Sequence, residues 1–159
     1  MNILYGAKMK TVMATGTFDL LHPGHGLYLQ KAKELGGKDA KLVVVVARDS
    51  TVRRKKRIPI IDESQRLEMI KTLKPVDEAY LGHPTDMFKI VRDLGPDIIA
   101  IGSDQSYEID HLKKDLENQG IDCEVERVSN YRRANLDSTC KIIKKIKNSE
   151  FSEKSLKNC

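Results

Sequence analysis

The chain has 159 residues, 28 Lys and Arg against 23 Asp and Glu, 40% hydrophobic residues and no Trp, the arithmetic of one globular domain long enough to bury a core. Its apolar residues arrive in periodic blocks, which excludes disordered, collagenous and coiled-coil classes, and no apolar run approaches the roughly 20 residues that cross a bilayer. The formal charge of +5 points to anionic ligands. The opening MNILYGAKMK is too short and mixed for a signal peptide, so a cytoplasmic chain without a membrane partner is expected. Cys123, Cys140 and Cys159 have neither disulfide nor zinc-site spacing and read as ordinary thiols.

In chain order, KTVMAT at 10–15 is an apolar run closed by Gly16 and predicts a strand. A helix follows, with Tyr28, Ala32 and Leu35 on one stripe and Gly36-Gly37 at its end. LVVVVA at 42–47 does not alternate, the mark of a strand buried on both faces. The run RRKKR at 53–57 reads as a basic loop: a nucleic-acid patch, a mobile arm for triphosphates or plain solvated charge. Asp62 with Gln65 offers a capping box to a helix carrying Leu67, Ile70 and Leu73, stopped by Pro75. A strand over 76–81, a helix with Ile90, Val91 and Leu94, and the buried run DIIAIG at 97–102 follow. A helix carrying Ile109, Leu112 and Leu116 then ends at Gly120. Ile121, Cys123 and Val125 alternate with Asp122, Glu124 and Glu126, as in a strand at a sheet edge. The last helix, 138–147, has Ile142, Ile143 and Ile146 as its expected buried stripe. Strands alternating with helices predict an α/β fold: a single doubly wound, Rossmann-like domain with a five-stranded, mostly parallel sheet. Its expected extent is 10–147, with an N-terminal extension over 1–9 and a flexible C-terminal tail over 148–159.

Ligands of such a sheet bind beyond the carboxyl ends of its strands. The first loop there reads Gly16-Thr17-Phe18-Asp19-Leu20-Leu21-His22-Pro23-Gly24-His25. Pro23 suits the first position of a helix, whose N-terminus offers unpaired N–H groups and partial positive charge. Gly24 permits close approach to the backbone, and His22 and His25 add donors on the same side. The set suits phosphate. It suits zinc less, because no nearby Cys or Glu supplies a third ligand. Further on, Ser138 and Thr139 open a helix with hydroxyls and free N–H groups, and Arg133 stands just upstream as a charged clamp.

The stretch GTFDLLHPGH resembles the GTFD and HxGH signatures of the cytidylyltransferase-like nucleotidyltransferases. RANLDSTCKI at 133–142 is similar to that family's R-T-E-G-I-S-T-T-K-I segment at Arg133, Ser138, Thr139, Lys141 and Ile142, and departs from it at Ala134, Asn135, Leu136, Asp137 and Cys140. The resemblance implies transfer of a nucleoside monophosphate to a phosphate-bearing acceptor with release of pyrophosphate. It assigns catalysis to His22, His25, the lysine loop through Lys55 or Lys56, and Arg66, whose guanidinium would face the acceptor phosphate. It assigns nucleotide binding to Thr17, Phe18, Asp19, Gly24, Asp104, Arg133, Ser138 and Thr139. It implies a divalent ion, Mg2+, arriving with the triphosphate and holding few protein ligands, so no metal site is named in the chain.

Within the family, ARDSTVRRKKRIPIIDESQRLEMIKTLKPVDEAYLG with the later GSDQ is most similar to the archaeal FAD synthetases, which adenylylate FMN with ATP. The same loops serve CTP-dependent cytidylyltransferases acting on glycerol 3-phosphate or another small phosphorylated alcohol, because the phosphate grips do not read the base. A homodimer is the family expectation, and few aromatics with no recognisable RNA or DNA motif argue against a nucleic-acid partner. The wall for a flavin is left open among Phe18, Tyr80, Phe88, Tyr107 and Tyr131.

Overall fold

A run of β-branched residues with no polar interruption has to be covered on both sides, and that requirement sets the architecture. The computed structural model describes residues 8–55, 57–103, 105–106, 108–129 and 134–157. Its centre is β1 (Thr11–Gly16), hydrogen-bonded in parallel to β2 (Lys41–Val46) from Thr11 opposite Lys41 to Gly16 opposite Val46. The strands β3 (Glu78–Leu81), β4 (Ile98–Gly102) and β5 (Glu124–Val128) complete a sheet of order β3-β2-β1-β4-β5 in which every pairing is parallel. The sheet is thus wholly rather than mostly parallel. β5 lies at an edge, as its alternation implies, but begins at Glu124. The preceding Ile121 instead gives its N–H to Leu116 O, after Gly120 turns the chain at φ 67.

The helices divide between the faces. The helices α1 (Pro23–Leu35) and α3 (Glu63–Lys71) lay Tyr28, Leu29, Ala32 and Ile70 on Val12, Ala14, Leu42, Val44 and Val46. On the other face α4 (Met87–Leu94) and α5 (Ile109–Asn118) bring Val91, Leu112 and Leu116 to Met13, Val45, Ile99 and Ile101. Successive residues of β1 serve opposite layers, as strand periodicity requires. The α3 start uses Asp62, whose carboxylate accepts from Ser64 N and Gln65 N. Among the described residues no helix is long and apolar enough to cross a membrane.

Three helices differ from the sequence reading. Arg53 and Arg54 belong to a short helix, α2 (Asp49–Arg54), and not to an open loop. Asp49 in its first turn and the arginines in its last complement the helix dipole, and buried Val52 anchors it. The second is α6 (Thr139–Lys147), capped by Ser138, whose expected stripe is not buried: Ile143 is 38% and Ile146 52% exposed. Only its first residue, Thr139, is buried, so α6 joins the domain by its N-terminus and projects away. Beyond it, the segment expected as a loose tail contains the four-residue helix α7 (Glu153–Leu156), which buries no residue.

Candidate active site

Strand order turns on β1 and β4: the chain leaves β1 toward β2 and returns through α4 to β4 on the other side. The crevice at their carboxyl ends is where a doubly wound sheet takes its ligand. Tyr28 on α1 spans it, its hydroxyl donating to Thr15 O at 3.2 Å and Ala100 O at 3.0 Å. Gln105 ties the same strands, its amide nitrogen to Thr15 O at 2.8 Å and its amide oxygen accepting from Gly102 N at 3.1 Å.

His22 is extended at φ −147 and Pro23 opens α1 behind it, so His25 lies one turn on. Their rings stack with centroids 3.8 Å apart and 21° between planes. Phe18 supports them from below: it adopts φ 53, a left-handed conformation rare for a bulky side chain, and its ring meets His25 edge-on at 5.3 Å. The ring fills the space over Gly16, where a Cβ would fall 2.7 Å from Phe18 Cζ, which is why glycine ends the strand. Phe18 is 2% exposed, so its place is that of a prop for His25.

The sequence reading gave Gly24 to close approach of a ligand. In the structure the close neighbour is protein: a Cβ on Gly24 would lie 2.7 Å from Asp137 O and 2.9 Å from His22 Nδ1. Removing the Cβ therefore lets the N-termini of α1 and α6 sit side by side. Ser138 Oγ caps Lys141 N at 3.3 Å, Thr139 is buried, and Asp137, buried beneath them, holds Lys141 Nζ at 2.7 Å. Asp137 is one of the departures from the family segment, and its structural use was not legible in the sequence.

Asp19 and Arg66 build the opposite wall. The Asp19 carboxylate accepts from Ile60 N at 3.0 Å and Ile61 N at 2.8 Å, pinning the stretch before α3 to the β1 loop. The Arg66 side chain is 0% exposed and does not reach the cavity surface, contrary to an arginine that faces an acceptor phosphate. Its guanidinium donates to Ile61 O at 2.9 Å, Ala47 O at 2.8 Å, the Asp49 carboxylate at 2.7 Å and Thr17 O. In this arrangement Arg66 is a positioning residue that gathers three loops. Arg48 extends the network to Gly82 O at 2.7 Å and Glu63 at 3.0 Å.

One cavity of about 620 Å³ runs through these elements, bordered by Thr17, Phe18, Asp19, His22, Gly24, His25, Lys55, Ser138 and Thr139, within the roughly 300–1,000 Å³ of small-ligand sites. Lys55 caps the end of α2 at its rim. Lys56, Asp104 and Arg133 lie outside the described residues, as do Tyr107 and Tyr131. Among the described residues no group of three or more His, Cys, Asp or Glu is gathered to hold a metal, and the Asp19 and Asp137 carboxylates at the cavity are engaged by backbone amides and by Lys141.

Helix N-termini and imidazoles converging at the switch point of a parallel sheet define an α/β protein with a site suited to phosphate. The chain belongs to the cytidylyltransferase-like family, whose sequence pattern matches residues 13–145. The FAD synthase of Methanothermobacter marburgensis is 66% identical over 152 residues, covering 96% of this chain and 94% of its own. The FAD synthase of Methanobrevibacter ruminantium is 68% identical over 142 residues, covering 89% and 95%. Among solved structures, the lipopolysaccharide core biosynthesis protein from Thermoplasma volcanium superposes with a TM-score of 0.74 at 49% identity, covering 78% of this chain and 99% of that one.

Proposed function

We propose that the protein transfers AMP from ATP to FMN, giving FAD and pyrophosphate. The observation that carries the reading is the pair of stacked imidazoles beside two adjoining helix N-termini on one cavity, in a chain two-thirds identical to proteins named FAD synthase. A terminal phosphate oxygen of FMN attacks the α-phosphorus of ATP. The new P–O bond forms as the bond to the bridging α,β-oxygen breaks, and pyrophosphate leaves on the opposite side. A phosphate monoester is already largely dianionic at neutral pH, so no general base is required.

The protein's part is positioning and charge stabilisation. His22 and His25 face charge at the α-phosphate. The amides and hydroxyls at Ser138 and Thr139 hold the outer phosphates, and Lys55 meets the departing pyrophosphate from the rim of α2. Mg2+ enters as part of the ATP substrate and neutralises phosphate charge. Lys56, Asp104 and Arg133 keep their assigned roles within this proposal, as do a cytoplasmic location, a homodimer and the absence of a nucleic-acid partner.

The test is pyrophosphate release by purified protein with Mg2+, crossing ATP and CTP against FMN and glycerol 3-phosphate. Release with ATP and FMN, with FAD appearing in step, is the expected outcome. Release with CTP and glycerol 3-phosphate alone would transfer the protein to the cytidylyltransferases that share its loops.

A further inference from the structure

The two faces of the sheet are not filled alike. On the α1 and α3 face the layer is closed by Tyr28, Leu29, Ala32 and Ile70. On the other face, where Val91 of α4 is buried against the strands, the phosphate cavity also reaches residues of α4 and the sheet. There it is lined by Met87, Phe88 and Ile90 of α4 against Met13, Val45 and Ile99 of the sheet. One cavity thus has a polar, donor-rich end at the α1 and α6 N-termini and an apolar slot under α4.

In-line displacement assigns the two ends. The attacking oxygen and the leaving oxygen stand on opposite sides of the α-phosphorus. With the pyrophosphate placed at the α1 and α6 N-termini as proposed above, the acceptor has to come from the other side of the α-phosphorus, and the apolar part of the same cavity offers it a seat. Resting on the transfer to FMN proposed above, we propose that this slot is the seat of the isoalloxazine ring, with Phe88 as its aromatic wall and Met87 at its mouth. A planar, largely apolar tricycle on a polyol-phosphate tether suits a narrow apolar slot that opens into a phosphate site. Met87 is 45% exposed and offers a thioether contact to a ring edge.

Of the other described aromatics, Phe151 is 54% exposed and does not line the cavity, and the rest are committed elsewhere. Phe18 is 2% exposed and propped under His25, Tyr28 is 4% exposed with its hydroxyl on two strand carbonyls, and Tyr80, 41% exposed on edge strand β3, donates to Glu78. The loop leading to α4 fixes the slot's mouth: His83 Nδ1 accepts from Asp86 N at 2.9 Å, and Asp86 caps α4 through Phe88 N at 2.9 Å. The backbone at Phe88 is therefore held by the cap.

The test compares wild type with Phe88→Leu and Met87→Ala by steady-state kinetics in FMN and in ATP, with thermal melting as a folding control. The expected result is a KM for FMN raised about tenfold by Phe88→Leu and about threefold by Met87→Ala, the scale of losing ring and thioether contact, with KM for ATP unchanged. An unchanged KM for FMN in both variants, in a wild type that makes FAD, overturns the seat and leaves the proposed reaction standing. A raised KM for ATP instead gives the slot to adenine and also overturns it. A wild type that does not use FMN removes the reaction and the seat together. Because Met87 lies at the surface, Met87→Ala keeps the test decisive if Phe88→Leu does not fold.

Discussion

The two ends of the sheet solve opposite problems with opposite chemistry. A parallel strand enters with an N–H that has no neighbour and leaves with a carbonyl that has none, and both need partners. At the amino end the partners are carboxylates: Asp77 accepts from Leu42 N at 2.6 Å and Asp97 from Thr11 N at 2.8 Å. At the carboxyl end they are donors. Arg66 binds Ala47 O after β2, Arg48 binds Gly82 O after β3, Arg127 binds Gly102 O at the end of β4, and Tyr28 and Gln105 bind Thr15 O in β1. Satisfying the backbone thus collects cationic and neutral donors at one end and acids at the other. The end where the proposal puts anionic phosphate is therefore supplied with hydrogen-bond donors for a reason of fold.

If the ends differ in this way, a change at the carboxyl end should cost chemistry and one at the amino end stability. The largest effect is expected at His25. His25→Ala should lower the turnover number by at least about a hundredfold, the scale of one lost oxyanion donor, with a melting temperature close to wild type. A rate within a few-fold of wild type would remove His25 from the chemistry.

Arg66 stands where the two kinds of cost meet. Arg66→Met leaves Asp49 without its partner and strips donors from Thr17 O, Ala47 O and Ile61 O, so a loss of about 3–5 kcal/mol in denaturant unfolding is expected, as for one partner removed from a buried pair. Arg66→Lys should recover little of it, because an ammonium cannot present the planar fork that reaches several carbonyls at once. Wild-type stability in the lysine variant would show that charge alone holds the loops.

What the sequence disclosed follows the range of each interaction. His22 and His25 are three residues apart at a helix start, so their juxtaposition was legible, as were the buried strands β2 and β4 and the cap at Asp62. Arg66 read as a ligand-facing arginine because its partners, Thr17, Ala47 and Asp49, meet it only in the fold. Gln105 and Arg127 escaped for the same reason. The α6 stripe failed differently: periodicity shows which residues share a face, and Ile143 and Ile146 share one, but it does not supply an element to cover them. In α2 the arginines hid a helix that rests on the single buried Val52.

The smallest expected effect lies at the amino end, and its pH dependence identifies it. Burial pushes the Asp77 carboxyl up, but the Lys33 ammonium at 2.7 Å and the Leu42 amide outweigh it, so Asp77 is held below the ordinary carboxylate range. The Thr11 amide, opposed by burial and aided by Lys8, does the same for Asp97. Both carboxyls are therefore harder to protonate folded than unfolded. Their stabilisation is complete above the unfolded value of about 4 and is lost as pH falls below it, through the lower folded values. Asp97→Asn should lower stability at pH 7 by about 1 kcal/mol, or about 2–4 °C in melting temperature, a figure already reduced for a carboxylate partly open to solvent. On acidification from pH 7 to pH 3, followed by melting, the wild-type and variant curves should converge while turnover at pH 7 stays unchanged. Parallel curves would mean that Asp97 acts through its shape and not its charge, and a loss of turnover would mean that the two ends of the sheet are coupled rather than separate.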